Sequence, residues 1–161
     1  MTEDGDRLTH IGPDGRLRMV DVSQKERTAR KATAGGVIRL GREVAEALRD
    51  RSLSKGDALC AARISAIGAA KQAAFRIPLC HPVGIGGIDV DLDLGDDALT
   101  VRCTVSGTER TGYEMEALSG VTAALLTVYD MCKAISREMV IGEVRLLEKS
   151  GGRSGVYSWR E

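Results

Sequence analysis

Two neighbouring segments with strictly alternating hydropathy restrict the fold more than any other feature of this sequence. Between residues 87 and 95, Ile, Val and Leu take every second position and aspartates fill the positions between them. Residues 99–106 alternate in the same way, with Arg102 on the polar side. A period of two is typical of a strand with one buried face. Because Asp96 and Asp97 favour a turn between the segments, we predict an antiparallel hairpin.

The segments around this hairpin occur in an order that indicates a fold class. Residues 32–40 predict a first strand, residues 43–51 a short helix, and Asp57 the N-cap of a longer helix. A long helix is predicted over about 113–135, and a closing strand over 140–149. This order matches the ferredoxin-like β-α-β-β-α-β pattern. We therefore predict an α+β protein, an antiparallel sheet with helices on one face. In the helix after Asp57, one stripe at helical spacing contains Cys60, Ile64, Ile67 and Lys71.

Composition limits the domain organisation and the classes of partner. The chain has 161 residues, 43% of them hydrophobic, which suffices for one core without disulfide or metal staples. Lys and Arg total 23, as do Asp and Glu, so the basic surplus that binds nucleic acid is absent. The most apolar run, 121–129, is shorter than the ~20 residues of a membrane helix. We predict a polar, turn-rich N-terminal arm over 1–21, one domain over 22–161, and a cytoplasmic location.

The cysteines and histidines do not have the spacing of a metal site. The four cysteines are far apart without a CxxC pair, and the two histidines, His10 and His81, are widely separated. Cys80 and His81 lie between Pro78 and Pro82, which predicts a stiff, extended segment whose adjacent side chains point to opposite sides. A Cys/His dyad is therefore not expected. Taken alone, Cys80 is more typical of a core thiol, while His81 fits a structural hydrogen bond as well as a functional role.

Asp130 and Lys133 lie three residues apart on the long helix and share one face. A surface ion pair of this kind would contribute only ~0.2–0.5 kcal/mol and would carry no function. However, the neighbouring positions, such as Leu125 and Val128, are strongly apolar, and an ionised pair there needs a polar cavity, a partner or a ligand. Structural and catalytic roles both stay open, with partial burial tuning Lys133 for proton transfer.

Two carboxylates flank Met115 at the start of the same helix. Glu114 and Glu116 fit the helix dipole, which favours acidic residues in a first turn. They can also accept hydrogen bonds from the N–H groups of a guanine-like ring. The sequence does not decide between these two interpretations.

Basic residues near glycines mark two candidate anion sites. Lys55 precedes a helix N-terminus, and Lys149 and Arg153 border a glycine-rich segment whose N–H groups can approach an anion closely. The order of residues is not that of a Walker loop. An ordinary turn and a flexible tail loop are the alternatives.

Motifs in a fixed order along nearly the whole chain resemble the MoaC family, the cyclic pyranopterin monophosphate synthases of molybdenum cofactor biosynthesis. The motifs are LTH at 8–10, MVDV at 19–22, KGD at 55–57, IPLCHP at 77–82, TGYEMEAL at 111–118, YDMCKA at 129–134 and KSGG at 149–152. Their combination is far more specific than any one of them.

The resemblance implies an activity and an assembly. The activity is that of a lyase converting (8S)-3′,8-cyclo-7,8-dihydroguanosine 5′-triphosphate, a cyclised GTP derivative, into cyclic pyranopterin monophosphate and pyrophosphate, without a redox cofactor. Asp130 and Lys133 would be the catalytic pair, with Lys133 as general acid/base. The implied assembly is a homohexamer, a trimer of dimers, with sites at the dimer interface. The resemblance also implies that substrate is bound by Leu79, Cys80, His81, Met115 and Glu116, and its charged end by Lys55 and Lys149. We assign Glu114 to the same site, and Arg153 as a further cation for the departing pyrophosphate.

The alternative from another class is a non-catalytic nucleotide- or phosphate-binding paralogue on the same fold. Phe75, Gly120 and Arg153 stand where the family usually has other residues, which fits such divergence. Intact Asp130 and Lys133 favour catalysis.

Overall fold

The alternating segments form the predicted hairpin in the computed structural model, which describes residues 10–11, 14–152 and 155–160. Its strands pair antiparallel from Gly87 opposite Ser106 to Leu94 opposite Leu99. The aspartates are exposed, and Asp91 lies directly across from Arg102. In chain order the elements are β1 (Thr28–Arg39), α1 (Arg42–Arg49), α2 (Ala58–Lys71), α3 (Ala73–Arg76), β2 (Gly87–Leu94), β3 (Ala98–Glu109), α4 (Glu114–Cys132), β4 (Val140–Ser150) and β5 (Tyr157–Ser158).

The strands form one sheet in the order β2-β3-β1-β4-β5, and every neighbouring pair is antiparallel. Strand β1 lies between β3 and β4, and β3 lies between β1 and β2, so each long crossover skips one strand. This is the arrangement of two split β-α-β units. The predicted α+β, ferredoxin-like fold is confirmed. The short strand β5 at the edge was not predicted.

Helix α4 packs on α2 through alanines and one glycine. The buried residues of α2 are Ala58, Ala62, Ala66, Ala69 and Ala70. The predicted stripe lies elsewhere, with Cys60 and Lys71 exposed and 66% of Ile64 accessible. Small side chains form the buried face of α2 because they let the two helices approach closely.

Gly120 marks the closest point of this contact. A Cβ atom there would lie 2.6 Å from the Cys103 sulfur of β3 and 3.3 Å from the Ala66 carbonyl oxygen of α2. A mid-helix glycine costs roughly 1 kcal/mol relative to alanine in intrinsic propensity. The close approach of three elements therefore explains why the helix contains one.

Several predicted boundaries and conformations need correction. Helix α4 ends at Cys132, with Lys133 as its C-cap, and not at about residue 135. The Cys80 N–H donates to the Ile77 carbonyl at 3.0 Å, so Pro78 and Leu79 lie in a turn and not in an extended segment. Proline suits the second position of such a turn because its fixed φ matches that position. The Asp57 N-cap is confirmed, because its carboxylate accepts the Cys60 N–H at 2.9 Å.

Part of the predicted arm over 1–21 falls within the described residues. Ile11 pairs with Leu17, and the Arg18 N–H donates to the His10 carbonyl at 2.9 Å. Residues 1–9 and 12–13 of the arm lie outside the described residues. Among the helices that are described, none has the length and apolarity needed to cross a bilayer.

Substituting Gly120→Ala is expected to lower the free energy of unfolding by about 1–3 kcal/mol, because the added methyl group overpacks a rigid core contact. Gly68→Ala in α2 is the matched control, since a Cβ atom there meets nothing within 4 Å. That change is expected to be neutral or to stabilise by up to about 1 kcal/mol. Urea unfolding followed by circular dichroism measures both, and a Gly120→Ala protein as stable as Gly68→Ala would contradict this packing argument.

Candidate active site

Helix α4 carries predicted site residues at both of its ends. Glu114, Met115 and Glu116 form its first turn, whereas Asp130 lies in the last turn and Lys133 caps the helix. At 1.5 Å per residue, Glu116 and Asp130 are separated by roughly 20 Å along the helix axis. The structure therefore divides the predicted site residues into two groups.

The first group is a cluster of Asp130 with two lysines. The Lys133 ammonium lies 2.7 Å from Oδ1 of Asp130, and the Lys55 ammonium lies 3.0 Å from Oδ2. Lys55 also donates to the main-chain carbonyl of Asp130 at 2.8 Å. Lys55 was expected at the charged end of the substrate, and the structure brings it to the predicted catalytic pair.

Hydrogen bonds from Lys133 and then Lys55 lower the pKa of Asp130 below its ordinary value. The Asp130 side chain is 58% accessible and that of Lys133 is 52%. The apolar neighbours in sequence predicted partial burial of this pair, and the structure shows it to be more exposed than that. The reason is the helical period, which turns Leu125 and Val128 to the core and Asp130 to the outside.

A groove of about 610 Å³ runs beside Asp130 between α2 and α4. Its wall includes Leu126, a large apolar side chain that is 56% accessible. Apolar surface therefore lies next to the Asp130 cluster.

The second group lines a cavity of about 300 Å³ at the other end of α4. One wall belongs to residues 77–86, here termed the 77–86 loop, and the opposite wall belongs to the first turn of α4. Six of the nine predicted substrate-binding residues line it, namely Leu79, Cys80, His81, Glu114, Met115 and Glu116.

Glu116 lies deep in this cavity, with only 3% of the residue accessible. Its Oε1 atom accepts a weak hydrogen bond from the Cys80 thiol at 3.7 Å, and its Oε2 atom has no partner among the described residues. Burial raises the pKa of Glu116, and the negative charge of Glu114 adds to the increase. A buried acceptor without a partner is a group that a ligand can satisfy.

Burial, followed by the nearby Glu116 carboxylate, raises the pKa of the Cys80 thiol to about 11. Cys80 therefore stays protonated at neutral pH and acts as a weak donor, not as a nucleophilic thiolate. The His81 ring points elsewhere, with Nε2 2.6 Å from the Val20 carbonyl oxygen. Because a carbonyl only accepts, Nε2 donates in this contact, and Nδ1 is the ring nitrogen left for a ligand. The predicted structural hydrogen bond of His81 is present, and it fixes the ring at the cavity.

Lys149 joins Glu114 at the rim of the cavity, with Nζ 2.8 Å from Oε1. Gly151 and Gly152 follow with φ values of +96° and +73°, a conformation that favours glycine. A Cβ atom on Gly152 would overlap the guanidinium group of Arg30. Arg153, the remaining predicted cation, lies outside the described residues.

Sequence reasoning did not identify several residues of this cavity. Val20, Val22, Lys25 and Thr111 also line it, and Arg30 lies against Gly151 and Gly152. The MVDV motif at 19–22, one of the motifs that carry the family resemblance, could have indicated Val20 and Val22. These two residues were missed because their side chains have no reactive group. No three His, Cys, Asp or Glu side chains within the described ranges come together in a way that could hold a metal ion.

Comparison with known proteins places these residues in a family. The MoaC family model matches residues 19–152. A cyclic pyranopterin monophosphate synthase of Streptomyces avermitilis is 51% identical over 153 residues, which cover 95% of this chain and 90% of that protein. The protein of the same name from Nocardioides sp. is 48% identical over 161 residues, covering 98% and 99%. That of Thermoanaerobacter pseudethanolicus is 47% identical over 152 residues, covering 93% and 96%. The chain therefore belongs to the MoaC family.

Proposed function

We propose that this chain is a cyclic pyranopterin monophosphate synthase, a lyase that acts on the cyclised GTP-derived triphosphate and releases pyrophosphate. The observation that carries the proposal is the Asp130 carboxylate held between the Lys133 and Lys55 ammonium groups in a member of this family. Relatives about 50% identical over nearly the full length are cyclic pyranopterin monophosphate synthases by name.

The geometry of the Asp130 cluster supports separate roles for its members. Because its pKa is lowered, Asp130 stays ionised at neutral pH and orients the lysines without supplying a proton. Lys55 gives two of its three ammonium hydrogens to Asp130, whereas Lys133 gives one. Lys133 is therefore the less restrained donor and acts as the general acid/base, a role typically worth roughly 10²–10⁴-fold in rate. Lys55 acts as a fixed cation for the substrate phosphates.

The cavity at the start of α4 suits the ring of the substrate. Ring N–H groups satisfy the free Oε2 atom of Glu116, and Glu114 beside Lys149 lies at the rim. Leu79 and Met115 supply apolar walls, while the His81 ring adds a polar atom at Nδ1. Lys149 and Arg153 would stabilise charge that develops on the departing pyrophosphate.

We further infer that two subunits build each site. A general acid must lie within hydrogen-bond reach of the atom it protonates, about 3 Å. A ring bound at Glu116 cannot meet this requirement with Lys133 of the same chain, because the helix keeps the two residues roughly 25 Å apart along its axis. A two-fold axis that places α4 helices side by side and antiparallel brings the Asp130 end of one subunit to the Glu116 end of the other. Exposed Leu126 and the groove beside Asp130 provide apolar surface for this contact.

The homohexamer, a trimer of such dimers, is our proposal for the full assembly. We also propose that residues 1–21 form an arm on a single domain over 22–161, and that the protein works in the cytoplasm without a redox cofactor. All four cysteines, at 60, 80, 103 and 132, are free thiols, which supports a reducing compartment.

Asp130→Asn and Lys133→Ala are each expected to lower kcat by about 10²-fold or more, because the acid/base pair is lost while the distant ring cavity is intact. Pyrophosphate and cyclic pyranopterin monophosphate are measured with the cyclised triphosphate as substrate. Arg42→Ala, at an exposed position on α1, is the control and should retain full activity. A folded wild-type protein that binds this substrate and yields no product is instead the non-catalytic binding protein.

A mixture of Lys133→Ala and Glu116→Gln subunits is expected to be more active than either variant alone. In a two-fold dimer with exchanged subunits, one of two sites receives both intact ends, which gives about a quarter of wild-type activity after random mixing. Mixing Lys133→Ala with Asp130→Asn is the control, because every site then has a damaged Asp130 cluster. No recovery in the first mixture, with subunit exchange shown by mass spectrometry, would refute the shared site.

Glu116→Gln is expected to stabilise the protein at pH 7 by about 1 kcal/mol while it weakens substrate binding. The folded protein holds the Glu116 proton more tightly than the unfolded chain, whose carboxyl has the ordinary pKa of 4.5. Stability from the protonated group is therefore complete below pH 4.5 and is lost as the pH rises through the raised pKa. Thermal unfolding of both proteins should coincide at pH 4 and diverge by pH 7. A wild-type protein more stable than the variant at pH 7 would be the contrary result.

A further inference from the structure

The cavity at the start of α4 has two walls that belong to separate segments of the chain, so a contact between these segments must fix the distance between the walls. The 77–86 loop carries Leu79 to His81, and α4 carries Met115 and Glu116. Two contacts tie the loop to β3 and its end. The Gly86 N–H donates to the Ser106 carbonyl at 2.9 Å, and the Gly84 N–H donates to Glu109 at 3.3 Å. Neither contact reaches α4.

Tyr113 makes the link from α4 to the loop. This residue immediately precedes Glu114, is completely buried, and donates its hydroxyl proton to the Gly84 carbonyl at 2.7 Å. The other described hydrogen bond between the two walls is the Cys80 thiol to Glu116 at 3.7 Å, and thiols are weak donors. The Tyr113 hydroxyl is therefore the stronger of the two connections.

The surroundings of the Tyr113 hydroxyl are shaped for this contact. Gly107 of β3 lies beneath it, and a Cβ atom on Gly107 would overlap the hydroxyl oxygen. The same Cβ atom would lie 3.0 Å from both the Gly84 carbonyl oxygen and the Gly86 nitrogen. Burial raises the pKa of Tyr113, and the charges of Glu109 and Glu116 add to this increase, so the hydroxyl remains a donor at neutral pH. Strand, loop and helix thus meet at one phenol.

We propose that Tyr113 is a positioning residue, whose hydrogen bond to Gly84 sets the spacing between the loop wall and the α4 wall and thereby the fit of the substrate ring. This inference rests on the proposed function of the cavity. Tyr113 lies behind the wall, because the phenol is buried among protein groups and does not line the cavity. A shift of about 1 Å between groups that bind one ring weakens binding strongly.

Tyr113→Phe tests the proposal because it keeps the buried ring and removes only the hydroxyl. Two readouts are combined in the full-length protein: amide hydrogen exchange of peptides that cover 77–86, and KM and kcat with the cyclised triphosphate. We expect faster exchange in these peptides, a KM increased on the order of tenfold, and a kcat within about twofold of wild type, because the Asp130 cluster is untouched.

Val44→Ala is the matched control, since it removes volume from the core at α1, away from the cavity. This variant should lose stability without altering KM or exchange in residues 77–86. Unchanged loop exchange in Tyr113→Phe would overturn the proposal, as would unchanged KM or a proportional fall in kcat with KM constant. A wild-type protein without turnover refutes the proposed function instead, and the exchange measurement still decides whether Tyr113 holds the loop.

Discussion

The close approach of α4 to the sheet and to α2 is the constraint on which the rest of the molecule depends. Gly120 lets the helix lie against Cys103 and Ala66, and Gly36 of β1 does the same from the sheet side. A Cβ atom on Gly36 would lie 2.8 Å from Val121 and 2.9 Å from Leu125. Two glycines on different elements therefore fix the height and rotation of one helix. Since α4 holds predicted site residues at both ends, its position on the sheet determines where the Asp130 cluster and Glu116 lie.

Helix α4 keeps two groups of charged residues apart, one at each of its ends. At the Asp130 end, one carboxylate is neutralised by two lysines in contact with water, so little free energy is needed to keep the cluster ionised. At the opposite end, Glu114 is paired with Lys149, but Glu116 is buried with no cation beside it among the residues that the structure describes. The two ends thus have different electrostatic characters, which fits proton transfer and phosphate contact at one end and ring recognition at the other.

The sequence predicted those parts of the structure that depend on local patterns. Strands β2 and β3 follow from strict alternation, and the start of α2 follows from the Asp57 cap. The packed face of α2 was not predicted correctly. Ile64 is more hydrophobic than the alanines and was therefore expected to be buried, whereas close contact between helices requires small side chains. The turn at Pro78 and Leu79 was also mispredicted, since proline fits extended chain and turns alike.

For the site, the residue types were predictable and their grouping was not. Lys55 lies 75 residues from Asp130 in sequence, and no local pattern indicates that they touch. The contribution of Val20 was equally hidden, because it binds His81 through its main-chain carbonyl, which every residue possesses. The distance between Glu116 and Asp130 could be calculated from their spacing in sequence only if one helix joins them. The structure shows that α4 runs unbroken between the two residues.

The buried Glu116 connects stability with ligand binding. An ionised carboxylate at the start of a helix gains from the helix dipole, yet this gain is smaller than the loss of hydration on burial, since the pKa of Glu116 is raised. A ligand that donates to Oε2 removes the unsatisfied acceptor only in the folded protein. By mass action, such a ligand stabilises the fold in proportion to the logarithm of its concentration above its Kd. Under the proposed function, the free energy that Glu116 costs the ligand-free protein therefore favours a ring rich in N–H donors as the ligand of this cavity.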